Sequence, residues 1–302
     1  MWKRALMFGI LLVLAGLGGC IEEHGHTTEG YTLTDDHGRN VTFPETPQRV
    51  ISIAPSTTEI IYFLGAGDRV VALDNNSNYP EGLDKPRVYG YKWMNLEKII
   101  SLKPDVIFAA DINSADIPVL EENDLRVFVL SADTVEGVLA DIELAGKVLG
   151  IDEVGKEKRQ ELEQRYSEVL SKIRTADTRP KVYLELDDTM GYWTYGPGTF
   201  GDQLITLAGG ENIAHDADTQ YPALQAEEII SRNPDIIIYQ TGPWSTTTAE
   251  EIKAREGWSS ISAVKNDRIT GVDGDIISRP GPRIIDGLEA LAKAIHPEVF
   301  TD

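Results

Sequence analysis

Two segments of the chain repeat one pattern of apolar and polar positions. Residues 97–108 and 227–238 each begin with an amphipathic stretch, continue to a Pro-Asp pair and end in an unbroken apolar run. Proline disfavours the helical conformation in the residue before it, so each Pro-Asp pair predicts the end of a helix. The apolar run does not alternate with polar residues, which indicates a strand buried on both faces, as in a parallel sheet.

The other parts of the repeat predict two lobes of the same α/β architecture. Both copies contain a glycine-bearing helix end, where glycine adopts the left-handed conformation at little cost. Strands that alternate with helices favour right-handed crossovers, so we expect two Rossmann-like lobes, each with a parallel sheet. The matched pairs are residues 49–54 and 181–186 as opening strands, 64–67 and 207–210 as helix ends, and 126–130 and 268–272 as later strands.

A single long α-helix is predicted between the two lobes. Residues 152–176 are rich in charge and free of proline, and their apolar side chains recur at steps of three and four. About 25 helical residues would span roughly 35–40 Å, so this helix would connect the lobes stiffly. Alternation with period two predicts a β-hairpin in residues 31–43. The N-terminal lobe with this hairpin then covers residues 31–151, and the C-terminal lobe covers residues 177–302.

The first twenty residues predict export across a membrane. Two basic residues precede an uncharged, mostly apolar run over residues 5–19, which is short for a membrane-spanning helix and typical of a signal peptide. Small residues stand directly before Cys20, and this pattern resembles a lipobox, in which the cysteine becomes lipidated. We therefore expect removal of residues 1–19 and a lipid-anchored tether over residues 20–30. The alternative is an uncleaved anchor, and both place the remaining chain outside the cytoplasm.

The composition describes a globular and strongly acidic protein. Apolar residues make up 41% and charged residues 25% of the 302 residues, which excludes a largely disordered chain. Acidic residues outnumber basic residues 49 to 28, and the formal net charge of −21 argues against a nucleic-acid partner. The chain has a single cysteine, which excludes an internal disulfide and any multi-cysteine metal site.

Five motifs, in order across both lobes, carry a resemblance to a known family. The chain resembles the substrate-binding proteins of iron–siderophore and cobalamin ABC importers, the bilobal periplasmic-binding-protein class with a rigid connecting helix. Within that class it is most similar to the cobalamin-binding proteins, around residues 94–97 and 209–213. The motifs are residues 53–59 (IAPSTTE), 93–97 (WMNLE), 103–105 (KPD), 207–213 (LAGGENI) and 278–283 (SRPGPR).

The resemblance implies one docking glutamate on each lobe. In this family the two glutamates pair with arginines of a permease dimer, which works with a cytoplasmic ATPase, and the matching positions here are Glu97 and Glu227. Charge-assisted pairing between carboxylate and arginine would orient the two proteins. The alternative is that each glutamate only stabilises the first turn of its helix through the helix dipole, and Asn95 is a suitable N-cap for the first of them.

Aromatic residues cluster in the loops that should flank a cleft between the lobes. Flat aromatic faces suit a corrin or porphyrin macrocycle, and Trp93 and Trp244 fall in such loops. The resemblance adds Tyr91, Trp193 and Tyr221 as aromatic contacts, with tyrosine at positions 91 and 221 where the family has tryptophan.

Polar residues complete the predicted ligand site. Ser56 and Asn76 are candidates from the N-terminal lobe. Arg279 is expected to face the cleft, where it could hold a carboxylate or phosphate of a ligand, and Arg283 is expected to be a structural cap.

These observations predict a binding protein that captures a cobalamin-like corrinoid and delivers it to a permease. A ferric siderophore or haem is the alternative ligand. A surface hydrolase is a more remote alternative, because the sequence has no Gly-x-Ser-x-Gly, His-Glu-x-x-His or phosphate-loop motif. We expect neither enzymatic activity nor a bound cofactor or metal of the protein's own.

Overall fold

The computed structural model describes residues 30–188, 190–242, 245 and 247–301. The predicted signal peptide, Cys20 and all of the predicted tether except Gly30 lie outside these residues, and so does Trp244. Within the described part of the chain, no helix is both long enough and apolar enough to cross a membrane.

The N-terminal lobe contains a hairpin and a six-stranded sheet. The strands of the hairpin are β1 Tyr31–Thr34 and β2 Asn40–Phe43, and those of the sheet are β3 Val50–Ser52, β4 Val70–Asp74, β5 Arg87–Gly90, β6 Trp93–Met94, β7 Val106–Ala109 and β8 Val127–Val129. The strand order in the sheet is β6-β5-β4-β3-β7-β8. Only the short strand β6, at one edge, is antiparallel to its neighbour, so this lobe has the predicted parallel sheet with one antiparallel edge.

The C-terminal lobe contains a second sheet of six strands. They are β9 Lys181–Asp187, β10 Tyr192–Thr194, β11 Glu211–Asn212, β12 Ala223–Leu224, β13 Ile236–Thr241 and β14 Ile269–Asp273. Strands β9, β13 and β14 are parallel, and β11 also pairs in parallel with the start of β9. Strands β10 and β12 are antiparallel to their neighbours, which the prediction of a parallel sheet did not include. Only residues 188–191 separate β9 from β10, too few for the crossover that parallel pairing requires.

Helices cover the two sheets and follow the predicted repeat. They are α1 Pro55–Phe63, α2 Leu96–Ser101, α3 Ile117–Glu121, α4 Val135–Val148, α5 Asp152–Ile173, α6 Phe200–Leu207, α7 Ala226–Arg232, α8 Ala249–Ala254, α9 Ser262–Lys265, α10 Gly274–Ser278 and α11 Ile284–Ile295. Strands β7 and β13 begin directly after the two Pro-Asp pairs, and all four residues of β7 are buried. The predicted glycine ends are also present, with φ of +74° at Gly65 and +83° at Gly209. The two α/β lobes are therefore confirmed.

The helix α5 joins the two lobes. Its 22 residues span about 33 Å, and it ends at Ile173 rather than at residue 176. The helix buries Leu162, Tyr166 and Val169, and the Tyr166 hydroxyl donates a hydrogen bond of 2.8 Å to Glu136 Oε1 on α4. The lobe boundaries at residues 151 and 177 stay predictions.

Two glycines let α4 and α5 approach until their backbones touch. A Cβ atom on Gly155 would lie 3.1 Å from Gly146 Cα, and one on Gly146 would lie 2.8 Å from Gly155 Cα. The contact lies within one hydrophobic cluster that includes Ile142 of α4, Leu162 of α5 and Leu288 of α11. Because this cluster is continuous from one lobe to the other, the connecting helix is part of the core.

We predict that Gly155→Val lowers the free energy of unfolding by about 1–3 kcal/mol, because the added atoms force the two helices apart. Urea denaturation followed by circular dichroism measures the change. The control is Ser171→Val, an exposed position on the same helix, for which we expect a change below about 0.5 kcal/mol. Equal effects of the two substitutions would contradict the close helix contact.

Candidate functional site

A cavity of about 710 Å³ lies between the two lobes. Its N-terminal wall consists of the segments after β3, β7 and β8 and the turn of the β1–β2 hairpin, and its C-terminal wall consists of residues 198–200, 220–221 and 278–280. Parallel strands direct their carboxyl ends to one edge of a sheet, so loops that follow different strands converge there. The volume is within the range of cavities that hold small-molecule ligands.

A second cavity of about 720 Å³ lies within the C-terminal lobe. Its lining includes Arg179 and Lys181, the first residue of β9, so it opens at the amino ends of the strands. One lobe alone forms it. We take the interlobe cavity as the candidate site because both lobes contribute to it and because the carboxyl ends of the strands meet there.

Three of the residues predicted for the ligand site line the interlobe cavity. Ser56 lies in the first turn of α1, on the N-terminal lobe. Tyr221 and Arg279 lie on the C-terminal lobe, where Tyr221 is 53% exposed and Arg279 directly follows α10. The Tyr221 ring lies 6.0 Å from the ring of Tyr195, whose hydroxyl accepts a hydrogen bond of 2.9 Å from Gln240 Nε2. Burial raises the pKa of the Tyr195 hydroxyl, so the ring that packs beside Tyr221 stays uncharged at neutral pH. Tyr221 thus contributes an aromatic ring to the lining of the cavity, and this ring packs against Tyr195, which a hydrogen bond from Gln240 holds in place.

Other predicted ligand residues lie outside the lining of the cavity. Tyr91, at the turn between β5 and β6, is 82% exposed, and Trp93 is 45% exposed. Trp193 is half-buried in β10. Asn76 is exposed, and its backbone oxygen accepts a hydrogen bond of 3.4 Å from Arg279 Nη2.

Several residues line the cavity that the sequence analysis did not select. Asp111 and Asp133 follow β7 and β8, His37 and Asp36 lie in the turn of the hairpin, and Phe200 begins α6. The first two could have been found from the rule that sites form after the carboxyl ends of strands. The hairpin residues carry no such signal. The alternation of apolar and polar residues predicts the hairpin itself, but it does not show where the hairpin packs on the lobe.

A pair of carboxyl groups fixes the hairpin turn to the N-terminal lobe. Asp141 of α4 is 3% exposed, and burial, together with the charge of and a hydrogen bond with Asp36, raises the pKa of Asp141 to about 9. Asp141 therefore keeps its proton at neutral pH, and its O–H donates a hydrogen bond to the Asp36 carboxylate. Asp36 Oδ2 also accepts a hydrogen bond of 2.5 Å from the backbone N–H of Ser131.

A buried ion bridge connects the lobes beside the cavity. Glu59 of α1, whose side chain is 2% exposed, accepts two hydrogen bonds from Arg283, at 2.9 Å from Nε and 2.6 Å from Nη2. Arg279 Nη1 lies 3.3 Å from the same carboxylate. Burial opposes the charge of Arg283, but the Glu59 carboxylate outweighs it and the pKa of Arg283 is raised. Both arginines of the 278–283 motif thus act across the lobe boundary.

The donors of Arg279 are largely used by the protein. Nη1 also donates to Asn78 Oδ1 at 2.6 Å, and Nη2 lies 2.7 Å from Asp275 Oδ1. Arg279 therefore lines the cavity, but most of its hydrogen-bond donors are already bound to groups of the protein and are not free for a ligand anion. Arg283 occupies the N-cap position of α11, yet its side chain makes no capping hydrogen bond and pairs with Glu59 instead.

Glu97 and Glu227 occupy equivalent places in the two lobes. Each lies in the first turn of a short helix, α2 or α7, that leads into a buried central strand, and each is exposed. Asn95 caps the first helix, where its Oδ1 accepts a hydrogen bond of 3.0 Å from the backbone of Lys98. Neither glutamate side chain has a hydrogen bond or ion pair with the residues that the structure describes.

The fold and the interlobe site agree with a known family of binding proteins. Residues 50–276 match the family described as periplasmic binding protein. The chain belongs to this family, whose members bind substrates for transport and are not enzymes.

Individual relatives extend this result. An uncharacterised ABC transporter substrate-binding lipoprotein of Bacillus subtilis, YvrC, is 32% identical over the whole length of both chains. A vitamin B12-binding protein of Vibrio cholerae is 28% identical, over 82% of this chain and 89% of its own. The crystal structure of the periplasmic vitamin B12-binding protein of that species matches with a TM-score of 0.73 and 26% identity, over 84% of this chain and 99% of the other.

A protein that is named for a different ligand is equally similar in structure. A possible iron-binding periplasmic protein of Staphylococcus epidermidis matches with a TM-score of 0.73 and 29% identity, over 83% of this chain and 100% of the other. Together with the family, these relatives show that the protein is the extracytoplasmic substrate-binding component of an ABC importer. Its partners are accordingly a small-molecule ligand, a permease and an ATPase.

We predict that Glu59→Gln lowers the free energy of unfolding by about 3 kcal/mol, because it leaves the half-buried Arg283 without its carboxylate and leaves Arg279 with only that of Asp275. Thermal and urea denaturation measure the loss. Glu163→Gln on the exposed face of α5 is the matched control and should change stability by less than about 0.5 kcal/mol. A loss below about 1 kcal/mol for Glu59→Gln would show that the ion bridge does not hold the lobes.

Proposed function

We propose that the protein captures a cobalamin-like corrinoid in the interlobe cavity and delivers it to its permease. The observation that carries this proposal is the cavity itself, which has the aromatic rings of Tyr221 and Phe200 on one lobe and the start of α1, with Ser56, on the other. Aromatic rings suit a large flat macrocycle through stacking and buried area. The similarity to vitamin B12-binding proteins supports the same ligand class.

The remaining predicted residues are proposed to contact the outer part of a large ligand. Tyr91 and Trp93 expose aromatic surface on a hairpin next to the segment that contains Asn76, and that segment contacts Arg279 of the cavity. Trp193 and Trp244 are the corresponding candidates on the C-terminal lobe. In this proposal Arg279 shapes the wall of the cavity and does not bind an anion, because Glu59, Asp275 and Asn78 occupy its donors.

A ferric siderophore or haem is the second candidate ligand. The structural similarity to a possible iron-binding protein favours a ferric chelate, since the fold is equally close to that relative. The change of ligand would leave the importer role unaltered.

Glu97 and Glu227 are proposed to dock the two lobes on the permease. Both carboxylates are exposed and free of partners among the described residues, and they occupy matched positions in the repeat. A two-fold permease would present one arginine-bearing surface to each lobe, so matched carboxylates give one orientation. The first turn of a helix also favours a negative charge, which does not conflict with docking.

The N-terminal segment is proposed to keep the protein near its permease. Residues 1–19 would direct export and be removed, and Cys20 would carry the lipid that holds residues 20–30 at the membrane. The similarity to a substrate-binding lipoprotein supports this anchor. Lipidation confines the protein to the surface on which its permease lies.

We predict saturable quenching of tryptophan fluorescence when cyanocobalamin is added to the full chain in mild detergent. Tyr221→Ala should weaken binding about tenfold through the loss of aromatic contact. Phe300→Ala, an aromatic change after α11 and outside the cavity lining, is the control and should leave binding unchanged. Haem and ferrioxamine B are titrated in parallel. Binding of either one without any response to cyanocobalamin would contradict the corrinoid and leave the importer role standing.

We predict that Glu97→Lys combined with Glu227→Lys leaves ligand affinity unchanged and abolishes uptake, because two attractive charges become repulsive at the permease. Uptake of labelled ligand by cells that carry the importer measures the loss. Glu122→Lys combined with Glu163→Lys makes the same change of net charge at other exposed positions and should retain uptake. A loss of ligand affinity in the first variant, or normal uptake, would count against the docking role.

A further inference from the structure

The charged groups that face the interlobe cavity are mainly acidic. Asp36, Asp111 and Asp133 line it from the N-terminal lobe. His37 and Arg279 are the only basic side chains among the described residues of its lining. The sign of the field inside the cavity therefore depends on whether these two basic groups are free.

Both basic groups already have acidic partners. His37 Nε2 lies 3.2 Å from Asp111 Oδ1. Arg279 lies 3.3 Å from the Glu59 carboxylate and 2.7 Å from that of Asp275. The positive charge of Arg279 is thus offset twice within the protein, and little of it acts on a ligand.

The carboxylates are not offset to the same extent. Asp133 has no hydrogen bond or ion pair with the described part of the chain. Within the described residues, the Asp36 carboxylate accepts hydrogen bonds only from uncharged groups, the backbone N–H of Ser131 and the protonated Asp141. Because these bonds come from uncharged groups, they leave the negative charge of Asp36 in place.

We infer that the cavity selects a neutral or cationic ligand over an anionic one, with Asp36, Asp111 and Asp133 as the residues that set this preference. The inference rests on the proposed function, because it assigns charge to the ligand of the same cavity. An anion at this site would be repelled by the carboxylates of Asp36 and Asp133, which no charged group of the described chain offsets, whereas a cation would be attracted to them. Chelates and macrocycles that carry free carboxylates are therefore disfavoured, and corrinoids whose side chains are neutral amides are accepted.

The test uses one scaffold with three charges. The ligands are cyanocobalamin, its derivative with one side-chain amide hydrolysed to a carboxylate, and that carboxylate coupled to ethylenediamine to give a cation. The full chain in mild detergent should bind the cationic form about tenfold more tightly than the anionic form at low ionic strength. The ratio should fall towards one at about 0.5 M salt, because screening weakens interactions between exposed charges.

Substitutions then assign the preference to the cavity. Asp133→Asn should reduce the ratio about threefold, and adding Asp111→Asn should reduce it further. Asp177→Asn is the matched control, because Asp177 is exposed and precedes β9 at the opposite edge of the sheet. An unchanged ratio in Asp133→Asn with Asp111→Asn, or an equal effect of Asp177→Asn, would overturn the inference.

A second scaffold separates this inference from the choice of ligand. Ferrioxamine B carries a cationic amine, which acetylation makes neutral and succinylation makes anionic. Cobalamin binding without any charge preference would refute the inference and leave the proposed function standing. If cobalamin does not bind and cationic ferrioxamine B binds more tightly than its neutral and anionic forms, the corrinoid proposal is refuted and the inference on charge stands. Failure of both scaffolds to bind would refute both proposals.

Discussion

The contact between α4 and α5 is the constraint on which the arrangement of the molecule depends. Gly146 and Gly155 bring the two helix backbones together, and the core cluster around this contact continues through α5 to α11 in the other lobe. A connection of this kind differs from a pair of extended strands, since moving one lobe would break packed apolar contacts rather than rotate a few backbone bonds. The cavity between the lobes thus has walls whose relative position is set by the core.

The ion bridge at Glu59 adds a second connection, next to the cavity. Its geometry explains why the arginines of the 278–283 motif do not form an anion site, although arginine is well suited to carboxylates and phosphates. Glu59 and Asp275 take up that capacity within the protein. The same groups that join the lobes therefore also offset the positive charge beside the interlobe cavity, whose other charged lining residues include three aspartates of the N-terminal lobe.

Local patterns predicted most of the fold, whereas much of the candidate site depends on residues that are distant in the sequence. The Pro-Asp pairs, the buried apolar runs and the glycine at position 209 each act within a few residues, so their structural effect can be read directly from the chain. The partner of Arg283, by contrast, is 224 residues away, and no local pattern links the two. The acidic residues of the cavity follow strands that were predicted, but their shared orientation depends on the twist and order of the whole sheet. The antiparallel edge of the second sheet was missed because the repeat suggested two equal halves.

The short strands at the edges of the two sheets affect how copies of the protein meet one another. Strands β6 and β12 have two residues each and are antiparallel to their neighbours. A long open edge would offer a row of unpaired backbone groups to a second molecule, whereas two residues offer too few for a stable intermolecular ladder. On these two sides the sheets are therefore poor templates for the strand-to-strand pairing that would join copies of the protein into a polymer.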